Sequence, residues 1–190
     1  DKVNAIRQVY QLLKNKVGSP INYSNIARDI GIAPATVKKY IEILEAIYII
    51  FIIKPYTHKI SRSILKEPKI YFFDYVSIAD IGAKFENFVA LALYKHIKLK
   101  NDLTGASFSL GFLKTKEKKE VDFALADGQN NLMEIVESKV SDENASKALE
   151  YFLERYEVLG TQIVYNLKIE RISKNGAQIS KAEKYLENLE

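Results

Sequence analysis

Apolar residues recur at helical spacing through the first third of the chain and then give way to runs of β type. Ile6, Val9, Tyr10, Leu12 and Leu13 share one face of a helix expected over residues 4–17, and Gly18-Ser19-Pro20 ends it. Asn22-Tyr23-Ser24 offers a cap for a second short helix over 24–30. Gly31-Ile32-Ala33 supplies a tight turn, and Pro34 suits the first turn of a third helix through Thr36, Val37, Lys38, Tyr40, Ile41 and Leu44. The pattern reads as helix-turn-helix, with Ala27 small where two helices cross. The β-branched apolar run at 47–53 reads as a buried strand that would begin the strands of a winged version.

The rest of the chain alternates strand and helix signals. Residues 56–69 form a polar stretch, read as a wing or an interdomain connection. Lys69-Ile70-Tyr71-Phe72-Phe73 reads as a buried strand, with Asp74 as a structural cap. A helix over 78–97 carries Phe85, Phe88, Val89, Ala92 and Leu93 on one surface. Strands follow at 107–114, 120–126 and 132–139, then an amphipathic helix over 145–156, a strand at 161–166 and a last helix over 180–189. Strand, helix, strand in that order implies a right-handed parallel crossover. The expected architecture is therefore α+β and α/β: a winged helix-turn-helix domain over 1–57, then a sheet domain with helices on both faces over 58–190.

Composition narrows the chemistry. The 190 residues contain no Cys, which removes disulfides, thiolate metal sites and a cysteine nucleophile. Only His58 and His96 are present, so carboxylates are the metal ligands left. The chain begins at Asp1 and its one Met is Met133, so a piece of a longer polypeptide is expected. No run of 18 apolar residues and no signal-peptide pattern occurs, and a cytoplasmic protein away from membranes is expected. The net charge of +4 is uneven: residues 1–57 hold 8 Lys+Arg against 4 Asp+Glu, while residues 58–190 hold 20 of each. A nucleic-acid partner, DNA in the first instance, would dock on the first third.

The candidate chemistry lies between residues 120 and 139. Glu120-Val121-Asp122-Phe123 and Val136-Glu137-Ser138-Lys139 are two β-type runs separated by an Asp127-Gly128 turn signal. Residues two apart share a face, so Glu137 and Lys139 lie together, and a paired hairpin brings Asp122 close. Carboxylates beside an ammonium on a sheet face suit a hard divalent cation, Mg²⁺ or Mn²⁺, and phosphodiester hydrolysis. The plain alternative is a solvated outer face. Glu86 sits on the helix below Val89, Ala90 and Leu93, either as an acid needing a partner or as an ordinary half-exposed helix residue. In the helix-turn-helix, Thr36, Lys38 and Lys39 would meet a DNA groove and its phosphates, unless the module only packs against other domains. No Gly-Lys-Ser/Thr phosphate loop is present, so no ATPase activity is expected from these residues.

With these residues in view the chain resembles the PD-(D/E)XK nuclease superfamily, the restriction-endonuclease-like fold. More narrowly it resembles the C-terminal half of a family of bacterial and archaeal AAA-type ATPases, in which a winged helix and a nuclease-like domain follow the ATPase. The matching phrases are Asn22 to Ala27, Thr36 to Ile41, Lys69 to Asp74, Gly82 to Val89, Glu120 to Phe123 and the Glu137/Lys139 pair. The resemblance implies Glu86 as the helix acid, Asp122 as the metal-binding acid and Glu137 with Lys139 as the third motif. It also implies Mg²⁺ held by Asp122 and Glu137, with an ATPase domain in cis. Val121 stands where the superfamily's proline would, and Phe112-Leu113-Lys114 replaces a Trp-Arg pair. Two functions are carried forward: a metal-dependent nuclease, and a nuclease-like fold kept as a DNA-binding or protein-interaction module.

Overall fold

The computed structural model describes residues 2–57, 67–141 and 144–189. Three helices open the chain, α1 (Lys2–Lys14), α2 (Tyr23–Ile30) and α3 (Pro34–Ala46). Asn22 caps α2 by accepting the Asn25 N–H, and Gly31 ends it at φ +78, a left-handed value that favours glycine. Pro34 opens α3, as its fixed φ allows. The three expected N-terminal helices therefore form.

An eight-stranded mixed sheet follows, in the order β2-β1-β3-β4-β5-β6-β8-β7. Its strands are β1 (Ile50–Pro55), β2 (Lys69–Phe72), β3 (Ser109–Lys114), β4 (Glu120–Ala126), β5 (Leu132–Ser141), β6 (Leu159–Asn166), β7 (Arg171–Ile172) and β8 (Gln178–Lys181). β1 and β2 pair antiparallel, while β5 and β6 run parallel through the expected helical crossover. The helices α4 (Ile81–Thr104), α5 (Lys147–Leu153) and α6 (Ala182–Glu187) complete the mixed α/β architecture. Of the stretch read as a wing or connection, 56–69, residues 58–66 lie outside the described residues, and Lys69 opens β2.

Several elements differ from expectation, among them the unexpected strand β7. α4 starts at a cap on Asp80, whose Oδ1 accepts the Ala83 N–H at 2.7 Å, and runs on to Gly105 at φ +67. The segment expected as one helix over 180–189 is split. Its first residues become strand β8 because parallel pairing with β6 gives their backbone groups partners, and the helix begins only at Ala182. Asp74 does act as a local cap: its Oδ1 accepts the Val76 N–H at 3.2 Å.

The hydrophobic core joins the parts. Val9 and Leu13 of α1, Val37 and Ile41 of α3, Phe51, Tyr71 and Phe72 of the first strands, and Phe85, Val89 and Leu93 of α4 form one buried cluster. β2, from the second expected domain, thus pairs with β1 from the first and packs under α4. A smaller cluster on the other side of the sheet unites Leu113, Val121, Ala124 and Ile135 with Leu149 and Phe152 of α5.

α4 is fastened to the sheet edge by Asn87, which is fully buried. Its Oδ1 accepts the Phe72 N–H and its Nδ2 donates to the Phe72 carbonyl, both at 2.8 Å, so one side chain imitates a neighbouring strand. Asn87→Ala leaves both backbone groups buried without partners, and we expect a loss of about 3 kcal/mol in urea unfolding, with little change in the slope.

Candidate functional site

The site is built around an ammonium group. Lys69 opens β2 and its side chain is 1 % exposed. Its Nζ lies 2.8 Å from Glu120 Oε1, 3.3 Å from Glu86 Oε1 and 3.6 Å from Asp122 Oδ1. The Phe112 ring lies beneath it, 5.3 Å from ring centroid to nitrogen. Tyr71, two residues on and therefore on the same strand face, donates its hydroxyl to Glu86 Oε1 at 2.7 Å. Glu120 gives its second oxygen to Lys114 at 2.7 Å. An acid on α4, two on β4 and a cation on β2 are thus drawn to one point.

A bulge arranges the two acids of β4. Gly111 pairs with Ala124, yet Leu113 pairs with Val121, so β4 carries one extra residue opposite Phe112. Val121 then packs on the α5 side and Phe123 on the α4 side, although they stand two apart. Glu120 and Asp122 are both left free to reach Lys69. The β4–β5 register runs as far as Phe123 opposite Val136, and there Asp122 bridges the strands. Its Oδ2 accepts the Ser138 N–H at 2.9 Å and the Ser138 hydroxyl at 2.8 Å.

Glu137 and Lys139 form the second half of the site. Side chains alternate along β5, so these two turn away from the face taken by Val136. Lys139 Nζ lies 2.9 Å from Glu137 Oε1, and Glu137 is buried. Its other oxygen, Oε2, is buried without a hydrogen-bond partner. A buried carboxylate oxygen left so is costly, and it marks the place where a further proton or cation would be held. Asp122 links the halves, because its charge and its backbone N–H both act on Glu137.

The electrostatics follow from crowding. Burial, and then the Asp122 charge, push the Glu137 carboxyl up to about 8 against the opposing pull of Lys139. Burial and Asp122 likewise raise Glu86 to about 7, held back by Lys69 and the Tyr71 hydroxyl. Burial alone would lower Lys69, but Glu86, Asp122 and Glu120 outweigh it and hold the amine firmly protonated. Burial works to raise Glu120, and Lys69 and Lys114 overcome it, so this carboxyl falls below its ordinary range.

The segment between α1 and α2 closes the cluster. Pro20 bridges to Lys69, and the Ile21 N–H donates to the Pro68 carbonyl at 2.8 Å. Gly18, at φ +73, lies so close that an added Cβ would stand 2.6 Å from both Glu86 carboxylate oxygens.

Of the residues proposed from sequence, Glu86 and Asp122 meet around Lys69, and Glu137 and Lys139 meet each other. Among the described residues no group of three or more His, Asp or Glu is arranged to hold a metal ion. Magnesium needs less than that, since one or two carboxylates with water and phosphate oxygens suffice. Asp122 and Glu137 supply two interacting acids, one of them with a partnerless buried oxygen. Glu86 is engaged by Lys69 and Tyr71 instead. Sequence reasoning missed Lys69, Tyr71 and the ion-pair role of Glu120. The sequence around Lys69 carries no local signal for that role, since the residue follows a lysine-rich polar stretch. Thr36, Lys38 and Lys39 lie on α3, far in sequence from the cluster, with Lys38 and Lys39 exposed and Thr36 half-buried.

A mixed α/β protein with a buried carboxylate–lysine cluster at the junction of its parts is the class that fold and site define. Residues 81–185 match the family described as Domain of unknown function (DUF4143), and the chain belongs to it. Residues 1–79 match Domain of unknown function (DUF8612). No curated protein and no solved structure matches the chain significantly.

Two outcomes follow from this geometry. Glu86 and Glu137 bind protons more tightly folded than unfolded, so they favour the folded state at low pH and cease to do so as pH rises through about 7 and about 8. The melting temperature should therefore decline from about pH 5 to about pH 8, and Glu137→Gln should make that decline shallower; an unchanged slope would exclude Glu137 as its source. Gly18→Ala forces a side chain into both a left-handed backbone and the Glu86 carboxylate, and should cost about 2 kcal/mol in denaturant unfolding.

Proposed function

We propose that the chain is a metal-dependent phosphodiesterase module acting on DNA, a winged helix-turn-helix joined to a restriction-endonuclease-like PD-(D/E)XK domain. The observation that carries the reading is the partnerless buried Oε2 of Glu137 beside the Asp122 carboxylate, with the Lys139 ammonium 2.9 Å from Oε1. Asp122 and Glu137 would hold Mg²⁺ or Mn²⁺, and the ion would supply the Lewis acidity that activates water against a phosphodiester. Lys139 is one-third exposed, so its ammonium can reach a phosphate oxygen and donate to it as charge develops. Ser138 holds Asp122 in place by two hydrogen bonds, which keeps the acid oriented. Thr36, Lys38 and Lys39 on α3 would meet the DNA backbone. The Lys38–Glu42 pair, 3.8 Å apart and exposed on both sides, is too weak to withhold Lys38 from a phosphate. In the cell the module would be cytoplasmic and joined in cis to an AAA-type ATPase.

A second reading is favoured by Lys69. A fold whose Glu86, Glu120 and Asp122 are already engaged by an internal ammonium can serve as a DNA-binding or protein-interaction module without cleavage. One experiment separates the two. Supercoiled, linear and single-stranded DNA are incubated with the protein and Mg²⁺, Mn²⁺ or chelator, beside Asp122→Asn and Lys139→Ala. Metal-dependent cutting reduced about a hundred-fold or more in both variants is the expected result. Absence of cutting on every substrate, together with DNA binding that weakens in a Lys38→Ala/Lys39→Ala variant, would transfer the assignment to the binding module.

A further inference from the structure

We propose that α5 and the β3–β4 turn hold the phosphate backbone of DNA beside the site, through Lys147, Lys119 and Arg155 gathered about Tyr151. The inference rests on the DNA-directed reading given above and names the surface that would carry the strand; it requires no metal ion.

The helix begins next to the acids. Glu137 on β5 stands opposite Gln162 on β6, so their side chains share one face of the sheet. Gln162 is fully buried; its Oε1 accepts the Ser146 N–H at 2.8 Å and its Nε2 donates to the Asn144 carbonyl at 3.2 Å. Ser146 caps α5, so the helix starts over the face that bears Glu137. Residues four apart are neighbours on a helix surface, and Lys147, Tyr151 and Arg155 therefore follow one another along α5 and its last turn. Eight residues of helix rise about 12 Å, the axial length of about three phosphates of one strand.

Tyr151 collects positive charge. Lys119 Nζ and Arg155 Cζ each lie 3.6 Å from the centre of its ring, whose electron-rich face attracts both. The two cations are thereby held within about 7 Å of each other, a repulsion that an anion between them would relieve. Lys119, Lys147 and Arg155 are exposed, and among the described residues none of them takes part in an ion pair. Glu154, beside Arg155, accepts instead from Asn175 Nδ2 at 3.5 Å. The turn adds exposed Lys116 and Lys118 against the one exposed acid Glu117, and Lys118 stands at φ +64, a value uncommon for lysine. At the foot of the same hairpin Lys114 pairs with Glu120, so the basic surface runs into the acid cluster. Cations ordered on a ring and left without carboxylates suit a polyanion of regular spacing, as a DNA strand is.

The test reads binding of a short fluorescent duplex by anisotropy, in chelator, between about 0.05 and about 0.2 M salt. It compares the full 190-residue chain with three variants. Lys119→Ala/Lys147→Ala/Arg155→Ala removes the proposed contacts. Lys95→Ala/Lys98→Ala/Lys100→Ala removes equal charge from α4, over the opposite face of the sheet. Lys119→Arg/Lys147→Arg/Arg155→Lys keeps the charge. In the first variant the slope of log K against log salt should be shallower by about three, with binding about a hundred-fold weaker near physiological salt. The other two should keep the wild-type slope. An unchanged slope in the first variant, or an equal loss in the α4 variant, would overturn the proposal. Should the first variant not fold, Lys119→Ala and Arg155→Ala singly decide: a slope shallower by about one in each supports it, and no change in either overturns it. Cleavage is not part of the readout. A chain that binds through this surface and cuts nothing supports the inference while the phosphodiesterase reading fails. A chain that cuts, with its binding unmoved by the first variant, overturns the inference alone. A wild type that binds no DNA overturns both.

Discussion

A protonated amine almost wholly out of water is the constraint on which the rest of this structure depends. Burying a bare ammonium is prohibitive, and Lys69 is tolerated only because Glu86, Glu120 and Asp122 surround it. Each of those acids must then be carried to the same point by its own element. α4 delivers Glu86, the β4 bulge delivers Glu120 and Asp122, and the Pro20–Lys69 bridge pins the lysine's own strand. Removing the lysine would leave three carboxylates crowded in the interior with no cation at their centre, so the arrangement of helix, sheet edge and N-terminal segment is specified together.

Asp122 joins this structural half to the half suited for chemistry. One of its oxygens faces the buried ammonium and the other receives both hydrogen bonds from Ser138. Its charge adds to burial in raising the Glu137 carboxyl. The site combines an acid cluster gathered on Lys69 with a neighbouring carboxylate that has one oxygen on Lys139 and the other without a partner.

Much of this was legible in the sequence because periodicity reports burial. The spacing of Val9 and Leu13, or of Val37 and Ile41, placed the first helices, and the β-branched runs placed the central strands. Glu86, Asp122, Glu137 and Lys139 stood out as charges in apolar company. Lys69 did not, since it follows a lysine-rich polar stretch and looks like that stretch's last solvated residue. Its burial is decided by residues far along the chain, which no local window contains. Tyr71 read simply as an apolar strand residue because a hydroxyl's partner is likewise invisible locally. β7 and β8, with two and four residues, are too short for period-two alternation to register; pairing with β6 makes β8 a strand.

The seam between the two matched family regions falls at residue 80, but the site ignores it. Lys69, Tyr71 and Gly18 lie before the seam, while Glu86, Glu120, Asp122, Glu137 and Lys139 lie after it. Genetic recombination at this seam would therefore separate an ammonium from every carboxylate that neutralises it. The two regions are bound to travel and diverge as a pair: a change of charge on one side calls for an answering change on the other. What sequence families divide into two modules, charge balance makes a single unit of inheritance.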